Sequence, residues 1–565
     1  MKEIKNISRS RAQESSAAIE RLYITMRHLF NRGFYKPMGV SGETLREALL
    51  SLRPEIYGSI ADEKVELNGL LYVIERLPIG IEECRYINLT SDEGYSRSHF
   101  KAIVPPKRRR NCYRIDDEQM NIEITRGRSD IYDILTHLTF IFIESHKIMN
   151  RVLLDEGKVS RDWLKLEQAA LLDRKLTQTE REIAISHASN ILGRSFAEIL
   201  DIYNGFATTE APDRFLHIIY WLGKLAIEET LDNDKRTITF SPILRERLGH
   251  HIYGEIWANN IKETLASNGL LHRPIHIISA NMHSVMNSLF STYLLKNQFK
   301  NQNEFIIFEE LSKSENKELR NIVTEFALQH GMISLPDHSG TNIDVQIFDT
   351  AKIDWKQSSF PTAKINGEAP VIVVMDYAFG EQAFETIDEL LKPYKLSEDE
   401  DADKVYLNVE SVSIMGKAGI LVGGKGDIMI PSAHINEGTA DNYPFTNELS
   451  AEMFEGNDIP VFAGPMVTVL GTSLQNKDLL KFFHDSTWGV IGLEMEGAYY
   501  QKAIQSASKI RKSINPNVKV RYAYYASDNP LETGSTLASG GLGTTGVKPT
   551  YLITIKILEQ IFNVK

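Results

Sequence analysis

Pro274-Ile275-His276-Ile277-Ile278-Ser279-Ala280-Asn281 is the stretch where the chain changes rhythm. A short apolar run closed by Ser-Ala-Asn reads as a buried strand, and the amphipathic run to residue 295 reads as the helix that follows it. The same unit recurs downstream. Residues 304–308 are followed by a helical pattern over 316–330, and 371–375 by one over 382–391. Apolar runs at 405–407, 427–430, 461–470 and 521–526 come next, and a terminal helix is expected over 550–562. Strand and helix in alternation predict an α/β fold, a mostly parallel mixed sheet flanked by helices. Sites in such folds lie at the carboxyl ends of the strands.

Upstream the periodicity is helical. Residues 131–154, 164–191 and 214–230 place apolar side chains at three- and four-residue intervals, while 69–74 and 120–124 have the look of strands. A chain of 565 residues exceeds one ordinary core. We therefore expect a mainly helical N-terminal domain over 1–265 and an α/β domain over 266–565.

The net charge of −12 gives no global attraction to nucleic acid or to an anionic membrane. The basic run Lys107-Arg108-Arg109-Arg110 reads as a solvated loop. Two cysteines, Cys84 and Cys112, cannot build a disulfide framework or a cysteine-rich metal site. The polar N-terminus and the lack of an 18-residue apolar run point to a cytoplasmic protein. His137, Glu144 and His146 do not share a helix face at ligand spacing, so no metal is expected there, and His250-His251 reads as a helix start or linker.

Five segments at strand ends carry candidate chemistry. Gly492-Leu493-Glu494-Met495-Glu496-Gly497 opens a helix, and Ser527-Asp528-Asn529-Pro530-Leu531 follows a strand. Carboxylates so placed suit the gripping of a sugar and the protonation of its leaving group. Met415-Gly416-Lys417-Ala418-Gly419 and Gly423-Gly424-Lys425-Gly426-Asp427 are read as turns whose amides either cradle an anion or simply connect strands. Asp376-Tyr377-Ala378-Phe379-Gly380-Glu381 ends a strand and starts a helix, with Gly380 as hinge and Glu381 as a first-turn acid. The glycine-rich 533–549 stretch is either a lid over a substrate phosphate or a surface loop.

Together with Ile277-Ile278-Ser279-Ala280-Asn281, these segments in this order give residues 274–562 a resemblance to the purine nucleoside phosphorylase and nucleosidase superfamily. Within it, the Ser-Asp-x-Pro-Leu form is most similar to the catalytic domain of bacterial AMP nucleosidase. The resemblance implies hydrolysis of the N-glycosidic bond of a purine nucleotide or nucleoside, AMP favoured, with no cofactor. By it Glu496 binds the ribose hydroxyls with Met495 against the sugar, and Asp528, oriented by Ser527, acts at purine N7. Glu494, Asn281, Gly380, Gly416, Lys417 and Gly419 complete the expected substrate contacts. It also implies a homo-oligomer. Phosphorylases of the superfamily carry an arginine two residues before the glycine matching Gly416, where this chain has Ile414. That favours water over phosphate as nucleophile, with phosphorolysis or a silent nucleotide sensor as the alternatives. Glu381, Glu437 and Glu494 remain open as the base that activates water, and Lys417 or His283 as a 5′-phosphate contact.

Overall fold

The computed structural model describes residues 2–299, 302–365, 367–395, 403–439, 441–532 and 543–564, with side chains from residue 11 onward. The chain is of the α/β class and divides into two compact units. Among the described residues no helix is long and apolar enough to cross a membrane.

The first unit comprises Met1–Thr125, Asp130–Gly249 and Ser473–Leu479. It is mainly helical, with a five-stranded sheet formed by β1 (Phe34–Tyr35), β2 (Tyr86–Thr90), β3 (Cys112–Arg114), β4 (Gln119–Glu123) and β5 (Thr237–Phe240), ordered β1-β5-β2-β4-β3. The helices Gly127–Val152 and Arg214–Leu231 follow the apolar periodicity. The expected 164–191 helix is two, Arg161–Ala170 and Gln178–Leu192, because Thr177 and Glu180 form a capping box that restarts the chain. Residues 69–74, expected as a strand, belong to the helix Leu67–Ile74. The Glu66 carboxylate caps that helix at Gly69 N, and a Cβ on Gly69 would come within 2.8 Å of the Phe140 ring.

The basic run is not wholly solvated. Arg110 is buried against Asp130 and Asp133, and Arg108 Nε lies 2.9 Å from Asp133. His137 is buried between Asp133 and the Tyr57 hydroxyl, 3.2 Å from each. Glu144 pairs with Lys147 and His146 with Glu229. Among the described residues no cluster of three or more His, Cys, Asp or Glu could hold a metal ion. Both cysteines are free and buried, and burial pushes each thiol up to about 12.

The second unit comprises Arg126–Ser129, His250–Thr472 and Leu480–Lys565. Its strands are β6 (Ile275–Ser279), β7 (Met332–Leu335), β8 (Val345–Asp349), β9 (Val371–Met375), β12 (Val409–Ile420), β13 (Ile428–Asn436), β14 (Asn442–Pro444), β15 (Val461–Thr468), β16 (Gly492–Glu494) and β17 (Lys519–Asp528), with a separate two-strand ladder of β10 (Tyr394–Lys395) and β11 (Lys404–Val405). The sheet runs β14-β13-β15-β16-β12-β6-β9-β8-β7. Because β17 pairs with both β12 and β13, the five strands β12, β17, β13, β15 and β16 close into a ring. Neighbours are parallel along β9-β6-β12-β17 and along β13-β15-β16.

Alternation divides the core between the two faces. Val371, Val373 and Met375 of β9 join one cluster with Trp257, Ile261, Ile387 and Tyr500, and Ile372 and Val374 join the other with Leu289, Ile307 and Ile557. Helices thus cover both faces, as strands apolar throughout require.

Two sequence expectations fail here. Residues 304–308 are helical, in Glu304–Ser312, where Asn303 caps Phe305 N and Ile307, Phe308 and Leu311 share the buried face. The 405–407 run enters only the short ladder. The strand that joins the sheet is Val409–Ile420, so Gly416-Lys417-Ala418-Gly419 lie within a strand and not in a turn after one.

Candidate active site

Register on β12 brings the distant carboxylate segments together. Gly419 pairs with Leu493 of β16 on one side and with Asp528 of β17 on the other. Gly419 thus stands in register between the two segments.

Glu496 stands at the N-terminus of the helix Gly497–Gln505. Its Oε1 accepts from Gly380 N at 3.0 Å and its Oε2 from Met495 N at 3.3 Å. Gly380 has φ +56, the left-handed region, and a Cβ there would come 2.1 Å from Ser129 Oγ. That hydroxyl accepts from Glu381 N at 2.9 Å, across 252 residues of sequence. Burial, and then the neighbouring Glu494, push the Glu496 carboxyl up to about 8, with Arg126 opposing. The Arg126 guanidinium lies over the Phe379 ring, 5.7 Å from its centroid.

Glu494 is spent on holding this turn. One oxygen accepts from Glu496 N and Gly497 N and the other from the Thr468 hydroxyl, while Nδ1 of buried His434 lies 3.4 Å away. Gly497 is required, since a Cβ would come 2.3 Å from the His434 ring. Of the other carboxylates considered as bases, Glu381 lies 4.0 Å from Arg128, and Glu437, pushed up to about 7 by burial, accepts from Leu470 N.

Asp528 is 7% exposed. The Ser527 hydroxyl donates to its Oδ1 at 2.5 Å, and its buried Oδ2 has no hydrogen-bond partner among the described residues. Burial raises this carboxyl above the usual range, against the pull of Ser527, Lys417 and Lys425. The segment is stitched in place. Asn529 Nδ2 donates to Gly423 O at 2.9 Å, Gly426 N to Ala526 O, and Ala526 N to Asp427 O. Gly424 N is taken by Asp427, so the amides of Gly424 and Gly426 are already bonded within the protein.

Asn281 caps the helix Met282–Leu295, its Oδ1 accepting from His283 N at 3.0 Å. Gly416 leaves room beside the Tyr377 ring, 3.5 Å from where its Cβ would sit, and Lys417 is exposed. Ile414 is buried in the core and offers nothing to an anion. Residues 533–542 of the glycine-rich stretch lie outside the described residues. Gly543–Gly546 is a short turn into the helix Val547–Ile561.

Sequence reading missed Arg126, Ser129 and Tyr500. Tyr500 is buried with its hydroxyl 2.9 Å from Ser279 Oγ, under the first strand end. Arg126 and Ser129 precede Gly380 by a span in which no local pattern marks them. The segment 376–381 carried one usable sign, an acid at a strand end. Asp376 is raised by burial, against Arg126 and His283.

No curated protein matches the chain significantly. A model described as a family of unknown function (DUF6909) matches residues 43–321 and 300–563. Among solved structures, the chain aligns with a 5′-methylthioadenosine/S-adenosyl homocysteine nucleosidase of Campylobacter jejuni at 11% identity, over 52% of this chain and 100% of that one, with a TM-score of 0.30. It aligns with futalosine hydrolase of Helicobacter pylori at 14% identity over 52% and 99% (TM-score 0.30), and with isoform 2 of uridine phosphorylase from Schistosoma mansoni at 13% over 54% and 92% (TM-score 0.29).

Proposed function

The chain is a member of that family of unknown function, which brings no activity with it, and we propose from the site itself that it hydrolyses the N-glycosidic bond of a purine nucleotide or nucleoside, AMP favoured. Residues 266–565 form the catalytic part in this reading, and 1–265 a separate domain. The observation that carries it is one oxygen of Asp528, buried, raised in pKa and without a hydrogen-bond partner among the described residues, across β12 from the segment that carries Glu496.

A purine leaves poorly as an anion, and an acid at N7 typically contributes about 10²- to 10⁴-fold. Asp528 fits that role: Ser527 fixes one oxygen, and the other is left to meet the base. Bond cleavage leaves positive charge on the ribose. Glu496, aimed by the amides of Gly380 and Met495, binds the sugar hydroxyls and offsets that charge once ionised. Met495 packs against the sugar, and Gly416 leaves room beside Tyr377. The residue that activates water is not assigned. The apolar Ile414 supports water over phosphate, since a missing charged partner for phosphate is worth roughly 1.5–3 kcal/mol. A homo-oligomer belongs to the same reading and rests on the resemblance, and a cytoplasmic location rests on the polar N-terminus and the lack of a long apolar run.

The test is release of adenine from AMP with and without inorganic phosphate. Free ribose 5-phosphate without added phosphate is expected. A strict phosphate requirement would make the protein a phosphorylase, and binding without turnover a sensor.

A further inference from the structure

The first unit holds a cavity of about 570 Å³ lined by basic side chains and, among the described residues, by no acidic one. His28 and Arg32 lie one turn apart on the helix Lys2–Arg32 and so share a face. Gly33, with φ +93, turns the chain back into β1. Tyr35 is fully buried, and the flanking Phe34 and Lys36 therefore project together on the other side. Pairing of Tyr35 with Ile238 and Phe34 with Thr239 carries Lys36 alongside the start of β5, and Lys235 sits just before it. Three cationic side chains, Arg32, Lys36 and Lys235, thus line one concavity, with His28 beside them.

In a chain with 75 acidic and 63 basic residues this is an unusual arrangement. Among the described residues none of the four takes part in an ion pair. Arg32 instead lies over the Phe34 ring, 4.9 Å from its centroid. Like charges grouped without counter-charge repel, and a bound anion removes the repulsion. Apolar surface stands beside them: Phe34 is 43% exposed and Val40 is 88% exposed, both at the cavity. Hydroxyls of Ser41 and Thr44, near the start of the helix Val40–Leu52, complete the lining.

We propose that this cavity binds a small phosphorylated molecule with an aromatic or apolar body, its phosphate held by Arg32, Lys36 and Lys235 and its body against Phe34. The volume falls in the range of small-ligand pockets, and the concave form suits a compact ligand better than a duplex or a membrane plane. The site is independent of Glu496 and Asp528, so it stands or falls apart from the proposed hydrolysis.

Phenyl phosphate titrated into the full chain and followed by phosphorus NMR tests it, with Arg32→Ala, Lys36→Ala and Lys235→Ala as variants whose folding is checked by circular dichroism. Saturable binding is expected, weakened about tenfold or more by each variant that folds, as loss of a charge-assisted contact implies. Glu496→Gln and Asp528→Asn should leave it unchanged. Failure of phenyl phosphate to saturate, equal affinity in all folded cavity variants, or loss of binding in the Glu496 variant overturns the proposal. So does preferential binding of phosphatidylserine vesicles or of a single-stranded oligonucleotide that the same variants abolish.

Discussion

Asp528 and Glu496 are close in kind, and in the proposed function their surroundings set them opposite tasks. Asp528 has one oxygen fixed by Ser527 and one buried without a hydrogen-bond partner among the described residues. Asp528→Asn should therefore lower adenine release from AMP by about 10²-fold or more while ligand binding survives. A rate within about threefold of the parent would remove the acid role. Glu496→Gln should weaken ribosides and not free adenine, which calorimetry would show; equal loss for both would remove it from the sugar. With its carboxyl pushed up to about 8, Glu496 is mostly neutral at pH 7 in the empty protein. A cationic iminoribitol should then bind more tightly as pH rises, by up to about tenfold per unit, and level off above about 8. A flat profile from about pH 6 to 9 would mean that Glu496 does not face the sugar. The segments that carry these two proposed carboxylates were legible in the sequence because each is a local pattern. Arg126 and Ser129 were not, since only tertiary folding brings them to Gly380 and Glu496.

At the scale of elements, the turn before the helix Gln382–Leu390 aims Glu496 through one backbone N–H. Gly380→Ala places a methyl in the left-handed region and against Ser129 Oγ. A cost of about 1–3 kcal/mol is expected, with weaker riboside binding, measurable by urea unfolding and calorimetry. Wild-type stability and affinity in that variant would show the turn to be indifferent. Along the same helix Glu385 is 4% exposed and burial pushes it up to about 8, with Arg128 opposing. Its native pKa exceeds the unfolded value near 4.5, so the native state holds the extra proton between them. Stability from this group is full below about 4.5 and lost as pH rises to about 8. Glu385→Gln should accordingly gain on the parent from pH 5 to 8.5 in urea midpoint, and a constant difference would refute the assignment. Element type was readable where periodicity was long. It failed at 304–308, where four apolar residues of five fit strand and helix alike and the Asn303 cap decided between them.

Across the whole molecule, the alternating pattern from residue 275 revealed the α/β class, and the ring of β12, β17, β13, β15 and β16 stayed hidden. Closure depends on Ile428 and Met429 pairing with Tyr525 and Tyr524. Such a pairing leaves no local trace in either segment. Ring strands have neighbours on both sides, whereas β7 lies at an open edge. Amides of Tyr522 and Ala523 should accordingly exchange with solvent far more slowly than those of Ile333 and Ser334. Comparable rates in hydrogen-exchange mass spectrometry would argue against a closed ring. One irregularity of that ring reaches furthest. Ala418 pairs with Ala526, yet Gly419 pairs with Asp528, so Ser527 is supernumerary on its strand. Side chains on a strand alternate, and one surplus residue resets odd and even. The bearing of the buried acid is therefore stored as a count. Losing or gaining a single residue between 519 and 527 would keep every apolar side chain in the sequence and still send the carboxyl to the wrong side of the sheet.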